Sequence, residues 1–179
     1  YALFNFTEVN IKMKRKFVLL ILFVVCLISL KEFSVLAAEN LSDFSGGDGS
    51  PENPYVVSNP MQLNNVRKYL DACYIQSNDI DMTYETRKDG TYYNDGKGWE
   101  PIGEQKNESC SFRGVYDGNG FKITGLKINH DDVIGYTGLF SRNKGTIKNL
   151  GVDKLDFSTA SSYYSPYAGG IVGYNSGVI

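Results

Sequence analysis

Histidine is almost missing from this 179-residue sequence: His130 is the only one, alongside three cysteines and five prolines. That scarcity excludes the His- and Cys-rich ligand sets of most zinc sites. It also excludes a His-Glu-x-x-His peptidase motif within this chain. No Gly-x-Ser-x-Gly nucleophile elbow and no phosphate-cradling glycine loop is present. Basic charge is in short supply as well. The formal net charge is −2, and leaving out five basic and two acidic residues before Ala38 leaves 13 basic against 18 acidic side chains. A segment with that balance offers no cationic stripe for nucleic acid, so no nucleic-acid partner is expected. Nor is there an apolar run long enough to span a bilayer; the longest is Phe17 to Leu30.

That run has a specific context. Lys12, Lys14, Arg15 and Lys16 precede it, only Ser29 interrupts its apolar character, and Lys31-Glu32 closes it. Val35 and Ala37 then stand at the −3 and −1 positions for cleavage before Ala38. Basic, apolar and small-residue segments in that order make a secretory signal over residues 13–37. As a helix the apolar part spans about 21 Å, short of the roughly 30 Å hydrocarbon core. Residues 1–12 precede Met13 and are expected to be upstream read-through. Membrane contact is expected only through the uncleaved signal, and the compartment is outside a bacterial cell or on its surface. At the other end Val178-Ile179 follows the turn-like Asn175-Ser176-Gly177 as an apolar strand begins, which suggests a fragment.

Residues 38–98 read as an N-terminal cap region. Val56-Val57 is a short strand candidate. Asn59 as cap, Pro60 in the first turn and Gln62 at the third position predict a helix start. Leu63, Val66, Leu70 and Cys73 form one apolar stripe, so the helix is expected over about 59–73. Ile80 and Met82 alternate with Asp79 and Asp81 as in a half-buried strand. A polar stretch from Thr83 to Lys97 reads as a surface excursion. From residue 99 onward the texture changes: 16 of the 19 glycines lie from Gly90 to Gly177, separating short β-prone pieces. GFKITGLKI (Gly120 to Ile128) resembles GTIKNLGV at an offset of 24, which would stack Ile123 on Ile147 and Leu126 on Leu150. GLFSRNKGTI (Gly138 to Ile147) resembles GIVGYNSGVI at an offset of 32, which would stack Leu139 on Ile171. Strands too short to bury a face alone, recurring every 20 to 30 residues, are the mark of a solenoid. The expected fold is all-β: a right-handed parallel β-helix with a small helix-containing N-terminal cap, its coils running over residues 99–179 and left incomplete at the C-terminus. A β-sandwich is the competing architecture.

Several motifs then occur in one order: GGDGSPENPYVV, PMQLNNVRKYLDACYIQSNDIDM, WEPIG and FRGVYDGNGFKITGLKI. Together they resemble the opening of GLUG-repeat bacterial surface proteins, whose coils are filamentous-haemagglutinin-like parallel β-helices. The resemblance covers Gly46 to Ile179. It places the family repeat on Gly138-Leu139-Phe140-Ser141 with Gly145 to Leu150, and a second copy on Gly170-Ile171-Val172-Gly173. Ser141 departs from the family's final glycine and Ile171 from its leucine. The resemblance implies an exported architecture similar to adhesins. Repeats of this kind also occur beside the catalytic part of immunoglobulin A1-cleaving secreted peptidases. Fold alone does not choose between them.

The candidate chemistry is sparse. His130 beside Asp131 and Asp132 reads as a polar turn. Asp79 and Asp81 share a strand face about 6.5 to 7 Å apart, a spacing that paired glycosidase acids tolerate. They would also suit calcium, or simply turn hydrogen bonds, and no cofactor is required. Asp117 before Gly118-Asn119-Gly120 is a turn residue. Cys73 and Cys110 can form a disulfide in an exported protein or stay as two buried thiols. Tyrosine is the distinctive signal: 12 of 13 follow the signal segment, and Tyr163, Tyr164 and Tyr167 sit in a polar loop as candidate binding aromatics. The expectation is a non-enzymatic structural or adhesive module of a secreted or surface protein, binding a host extracellular protein or a glycan. The alternative is the non-catalytic N-terminal region of a secreted peptidase or polysaccharide-degrading enzyme.

Overall fold

The computed structural model describes residues 43–103, 108–129, 135–158 and 167–179. The signal segment, His130, Asp131, Asp132, Tyr163 and Tyr164 lie outside the described residues. The fold is mostly β, with several small parallel sheets and one short α-helix near the start of the described chain.

Strand β1 (Tyr55–Val57) leads into helix α1 (Pro60–Asn65). Its start follows the sequence chemistry: the Asn59 side chain accepts from the Gln62 backbone N–H at 2.9 Å, and Pro60 fills the first turn. Its end does not. The α-helix stops at Asn65, one 3₁₀ turn covers Val66–Lys68, and Cys73 opens strand β2 (Cys73–Gln76) where a helix was expected to finish. Leu63 and Val66 are buried as the stripe required, but Leu70 lies beyond the helix. The cause is strand pairing. Tyr74 pairs with Tyr55 on one side and with Tyr116 of β4 (Val115–Asp117) on the other, so two ladders hold the backbone extended. Against that, helix propensity is a weak preference.

The remaining strands are β3 (Ile80–Asp81), β5 (Lys122–Thr124), β6 (Lys127–Asn129), β7 (Tyr136–Thr137), β8 (Phe140–Asn143), β9 (Thr146–Lys148), β10 (Gly151–Asp153), β11 (Asp156–Ser158), β12 (Tyr167–Ala168) and β13 (Val172–Asn175). They assemble as β1-β2-β4-β9, β10-β5-β3, β11-β6, β12-β7 and β13-β8, and every strand pair is parallel. The ladder therefore begins at Tyr55, at the strand expected around Val56-Val57 within the 38–98 cap region.

The two repeat alignments fare differently. Phe140 pairs with Val172, the 32-residue step that sets Leu139 beside Ile171. The 24-residue step is overturned. Ile123 pairs with Ile80 and Val152, whereas Ile147 pairs with Tyr116 in another sheet, so the Ile123/Ile147 and Leu126/Leu150 stacks do not form. The reason is a shorter period inside the larger one. β9, β10 and β11 start at residues 146, 151 and 156, and β5 and β6 at 122 and 127. A strand–turn–strand unit thus recurs every five residues, and an alignment that slips by one strand still matches apolar to apolar.

The core is continuous and partly aromatic. Tyr74, Phe112, Tyr116 and Phe140 are fully buried with ring centroids 5.0 to 6.2 Å apart, beside Ile80, Ile123 and Ile147. The buried hydroxyls are satisfied: Tyr74 donates to the Tyr69 carbonyl at 2.7 Å, and Tyr116 to Gln76 Oε1 at 3.2 Å. Burial pushes both phenols well above the ordinary tyrosine range. At one corner Asn143, fully buried, donates to Asn175 Oδ1 at 2.8 Å while its Oδ1 accepts from the Gly145 N–H at 3.0 Å.

Candidate functional site

The carboxylates singled out in the sequence are spent on structure. Asp79 Oδ1 accepts from the Lys122 backbone N–H at 3.0 Å, and Asp81 Oδ1 from the Thr83 N–H at 2.8 Å. Asp117 accepts from the Asn119 N–H at 2.8 Å and the Asn149 amide at 3.0 Å, with Lys148 Nζ at 3.2 Å. Partial burial works to raise the Asp117 pKa, but those hydrogen bonds and Lys148 outweigh it and hold the carboxyl below its usual range. Among the described residues no group of three or more His, Cys, Asp or Glu could hold a metal ion. Cys73 and Cys110 are both free thiols, so the structure contains no bridge between β2 and the 3₁₀ turn Glu108–Cys110.

Of the three candidate aromatics, Tyr167 is described, and it does not stand alone. Pairing of β7 with β12 sets Tyr167 against Tyr136, and pairing of β8 with β13 sets Tyr174 against Arg142. The three rings lie 5.0 to 6.1 Å apart, and the Arg142 guanidinium sits 4.2 Å from the Tyr136 centroid and 5.7 Å from that of Tyr174. Tyr167 is 58% exposed and Tyr174 40%. Arg142 Nε is buried without a hydrogen-bond partner. A rigid aromatic patch of this kind, with a cation stacked on it, suits contact with another surface. Tyr136, Arg142 and Tyr174 were not legible as members because their neighbours come from strands about 30 residues away.

A second constellation was missed altogether. The polar excursion Thr83 to Lys97 returns to the fold at Gly98, whose φ is +74° and whose absent Cβ would lie 2.3 Å from the Lys127 carbonyl. That close approach lets the Trp99 N–H donate to the same carbonyl at 2.8 Å and drives the Trp99 ring fully into the core. Arg67, from the 3₁₀ turn after α1, lies over the outer side of that ring, 5.2 Å from its centroid. Its Nε donates to the Asn64 carbonyl and to Asn64 Oδ1 at 3.1 and 3.0 Å, and its Nη2 to the Glu100 carbonyl at 2.9 Å. Tyr92 meets Trp99 edge-on at 5.6 Å. Between these elements lies a cavity of about 440 Å³, lined by Asn64, Arg67, Thr91, Tyr92, Asn94 and Glu100 among others. Burial lowers the Arg67 pKa and raises that of Tyr92.

No family model matches the sequence. The chain is 39% identical over 145 residues to the "Putative Gly-rich membrane protein" of Evansella cellulosilytica, an alignment covering 77% of this chain and 15% of that protein. It is 29% identical over 109 residues to Halomucin of Haloquadratum walsbyi, covering 58% of this chain and 1% of that protein. The chain thus spans only a small share of the length of these relatives. Among solved structures, it resembles that of a "putative immunoglobulin A1 protease" from Bacteroides ovatus with a TM-score of 0.56. That match has 21% sequence identity and covers 73% of this chain and 34% of that one. The likeness is one of fold.

Proposed function

We propose that this chain is a non-catalytic stretch of a larger secreted or cell-surface bacterial protein, of the sort that accompanies the catalytic part of a peptidase or polysaccharide-degrading enzyme. Its parallel ladders are taken as coils of a right-handed β-helix of the GLUG-repeat type, and cleavage before Ala38 releases them from the signal. The observation that carries the reading is the use made of the side chains. Asp79, Asp81, Asp117 and Asn143 serve turns and backbone groups, and from β4 onward the ladders repeat with steps of 29 to 32 residues. The fold likeness to a third of a much longer chain fits the same reading. Purified protein assayed against immunoglobulin A1, casein and plant polysaccharides should release no product. Hydrolysis that disappears on changing a single acidic residue would defeat the proposal.

The patch formed by exposed Tyr167 and Tyr174 with half-buried Tyr136 and Arg142 favours a second reading, an adhesive module for a host extracellular protein or glycan. Binding to immobilised matrix proteins and glycans, measured again after Tyr167→Ser and Tyr174→Ser, tests it. Loss of binding without loss of fold supports adhesion through this patch, and undiminished binding removes the patch from consideration.

A further inference from the structure

We infer that the patch of Tyr136, Arg142, Tyr167 and Tyr174 is a docking surface for an acidic segment of a partner protein. The segment seats one aspartate or glutamate carboxylate on the Arg142 guanidinium and an apolar neighbour against Tyr167 and Tyr174. The inference rests on the adhesive reading and adds to it the chemistry of the partner.

The first ground is how Arg142 is held. Arg87 and Arg113 face Asp156 and Asp71, and Arg67 donates to main-chain carbonyls. Arg142 has neither kind of partner among the described residues. Ring contacts fix its guanidinium instead, 4.2 Å from the Tyr136 centroid and 5.7 Å from that of Tyr174. Nε is buried there without a hydrogen bond, whereas the two Nη groups are not shut off from solvent. The stack thus sets the position of the cation and leaves its two-pronged edge unclaimed. A carboxylate fits that edge with two parallel hydrogen bonds.

The second ground is that the surface is set in advance. Parallel pairing places Tyr136 opposite Tyr167 and Arg142 opposite Tyr174. Gly173, whose absent Cβ would lie 2.4 Å from the Thr137 nitrogen, lets β13 come close to β7 and brings the Tyr136 and Tyr174 rings to 5.0 Å. Side chains already ordered lose little entropy when a partner docks, and Tyr and Arg are the residue types that carry binding energy at protein interfaces.

The third ground is what the patch disfavours. Its three rings are inclined to one another by 35 to 88°, so they share no plane and offer no flat platform for a sugar ring. Its four residues bring one positive charge, and the chain from Ala38 holds 13 basic against 18 acidic side chains. That surrounding charge opposes a ligand with several negative groups, such as a polysulfated glycan. One carboxylate beside an apolar side chain is the better match.

Nuclear magnetic resonance of the chain from Ala38 tests this, through the Arg142 Nε–H signal and the ring signals of Tyr167 and Tyr174. The probes are a blocked pentapeptide with glutamate between two leucines, its glutamine counterpart, methyl glucuronide and inorganic sulfate. The glutamate peptide should shift these signals saturably and bind at least about fivefold tighter than each of the other three, the scale of one charge-assisted contact. Arg142→Lys, which keeps the charge but not the planar fork, should reduce the preference for glutamate over glutamine, and Arg142→Gln should abolish it. Tyr84→Ser, at an exposed tyrosine outside the patch, should leave it unchanged. Equal affinity for the two peptides, tighter binding of methyl glucuronide or sulfate, no shift with any probe, or a preference retained in Arg142→Gln with native circular dichroism would each overturn the inference. If binding to immobilised matrix proteins or glycans is lost in Tyr167→Ser and Tyr174→Ser while the glutamate preference is absent, adhesion through the patch stands and the partner assignment alone fails.

Discussion

Replacing Asn143 isolates what the corner asparagines contribute. Its side chain is fully buried and makes four contacts: Nδ2 to Asn175 Oδ1 at 2.8 Å, to the Val178 carbonyl at 3.2 Å and to the Gly145 carbonyl at 3.3 Å, and Oδ1 from the Gly145 N–H at 3.0 Å. In Asn143→Ala every partner keeps another bond. Gly145 N–H still donates to the Phe112 carbonyl, the Gly145 carbonyl still accepts from the Val178 N–H, the Val178 carbonyl from the Ile147 N–H, and Asn175 Oδ1 from the Gly177 N–H. No orphaned polar group results, so the cost is the net worth of the lost bonds, about 2 to 3 kcal/mol with a small cavity term. Asn175 is exposed, and water replaces most of what Asn175→Ala removes, giving about 0.5 to 1 kcal/mol. Asn143→Asp is the sharper variant. It keeps the acceptor facing the Gly145 N–H but turns a carboxylate oxygen toward three acceptors, so at neutral pH it should cost more than alanine. Its folded-state pKa is then raised above the unfolded value near 3.9. The penalty is full above that raised value and fades as pH falls toward about 4, where the protonated oxygen donates again. Urea unfolding at pH 7 and pH 4, with unchanged m-values, measures all three. Equal costs for Asn143→Ala and Asn175→Ala, or an aspartate milder than alanine at pH 7, would refute the account.

Asp117→Ala should flatten the acid limb of stability: the lowered pKa of Asp117 stabilises above the unfolded value near 3.9, and that contribution is lost as pH falls through the folded value, as urea titration across pH 2 to 6 would record. Lys148→Asp sets a carboxylate beside Asp117 and should cost about 0.5 to 1 kcal/mol by thermal unfolding. Gly98→Ala, strained at φ +74° and clashing with the Lys127 carbonyl, should shift Trp99 emission to longer wavelength and lower the melting temperature by several degrees. Protein cleaved before Ala38 should release two titratable thiols to Ellman's reagent once denatured, without prior reduction.

How far the sequence could be read follows the range of the interactions. The Asn59 cap and Pro60 act within one turn, and both were legible. The end of the helix was not, because Tyr55–Val57 and Val115–Asp117 decide it from a distance. Asn175 was legible as a turn residue through the glycine two positions on, but its bond to Asn143 requires the 32-residue register. The parallel strands themselves could be inferred from recurrence. Their phase could not, since the five-residue unit imitates the longer repeat. The site was harder still. Arg67 reads as a charge off the apolar stripe and Trp99 as a change of texture; only tertiary structure puts one over the other. Tyr167 announced an exposed aromatic, while its partners Tyr136 and Tyr174 and the cation Arg142 are set by two separate ladders.

The pocket and the ladder are linked by the same insertion. Between β10 and β11 the chain needs two residues, Lys154 and Leu155, but between β3 and β4 it uses 33. That long passage does not leave the fold for its whole length. It touches the ladder at Gly98 beside Ile128, at Ile102 beside Phe140 and at Phe112 beside Asn143. Those returns carry Trp99, Ile102 and Phe112 into the core, where each is fully buried. Buried aromatic and aliphatic side chains contribute on the order of 1.5 to 3 kcal/mol each, enough to anchor the insertion. Thr91 and Asn94, both exposed, are thereby held near Arg67 without being needed for packing, while Tyr92 packs edge-on against Trp99. Substitutions at Trp99 should consequently unfold the chain, whereas substitutions at the exposed Thr91 or Asn94 should leave its stability nearly unchanged in urea unfolding. If Thr91→Ala and Asn94→Ala destabilised the chain as much as Trp99→Ala, the tip would belong to the frame and the anchoring account would fail.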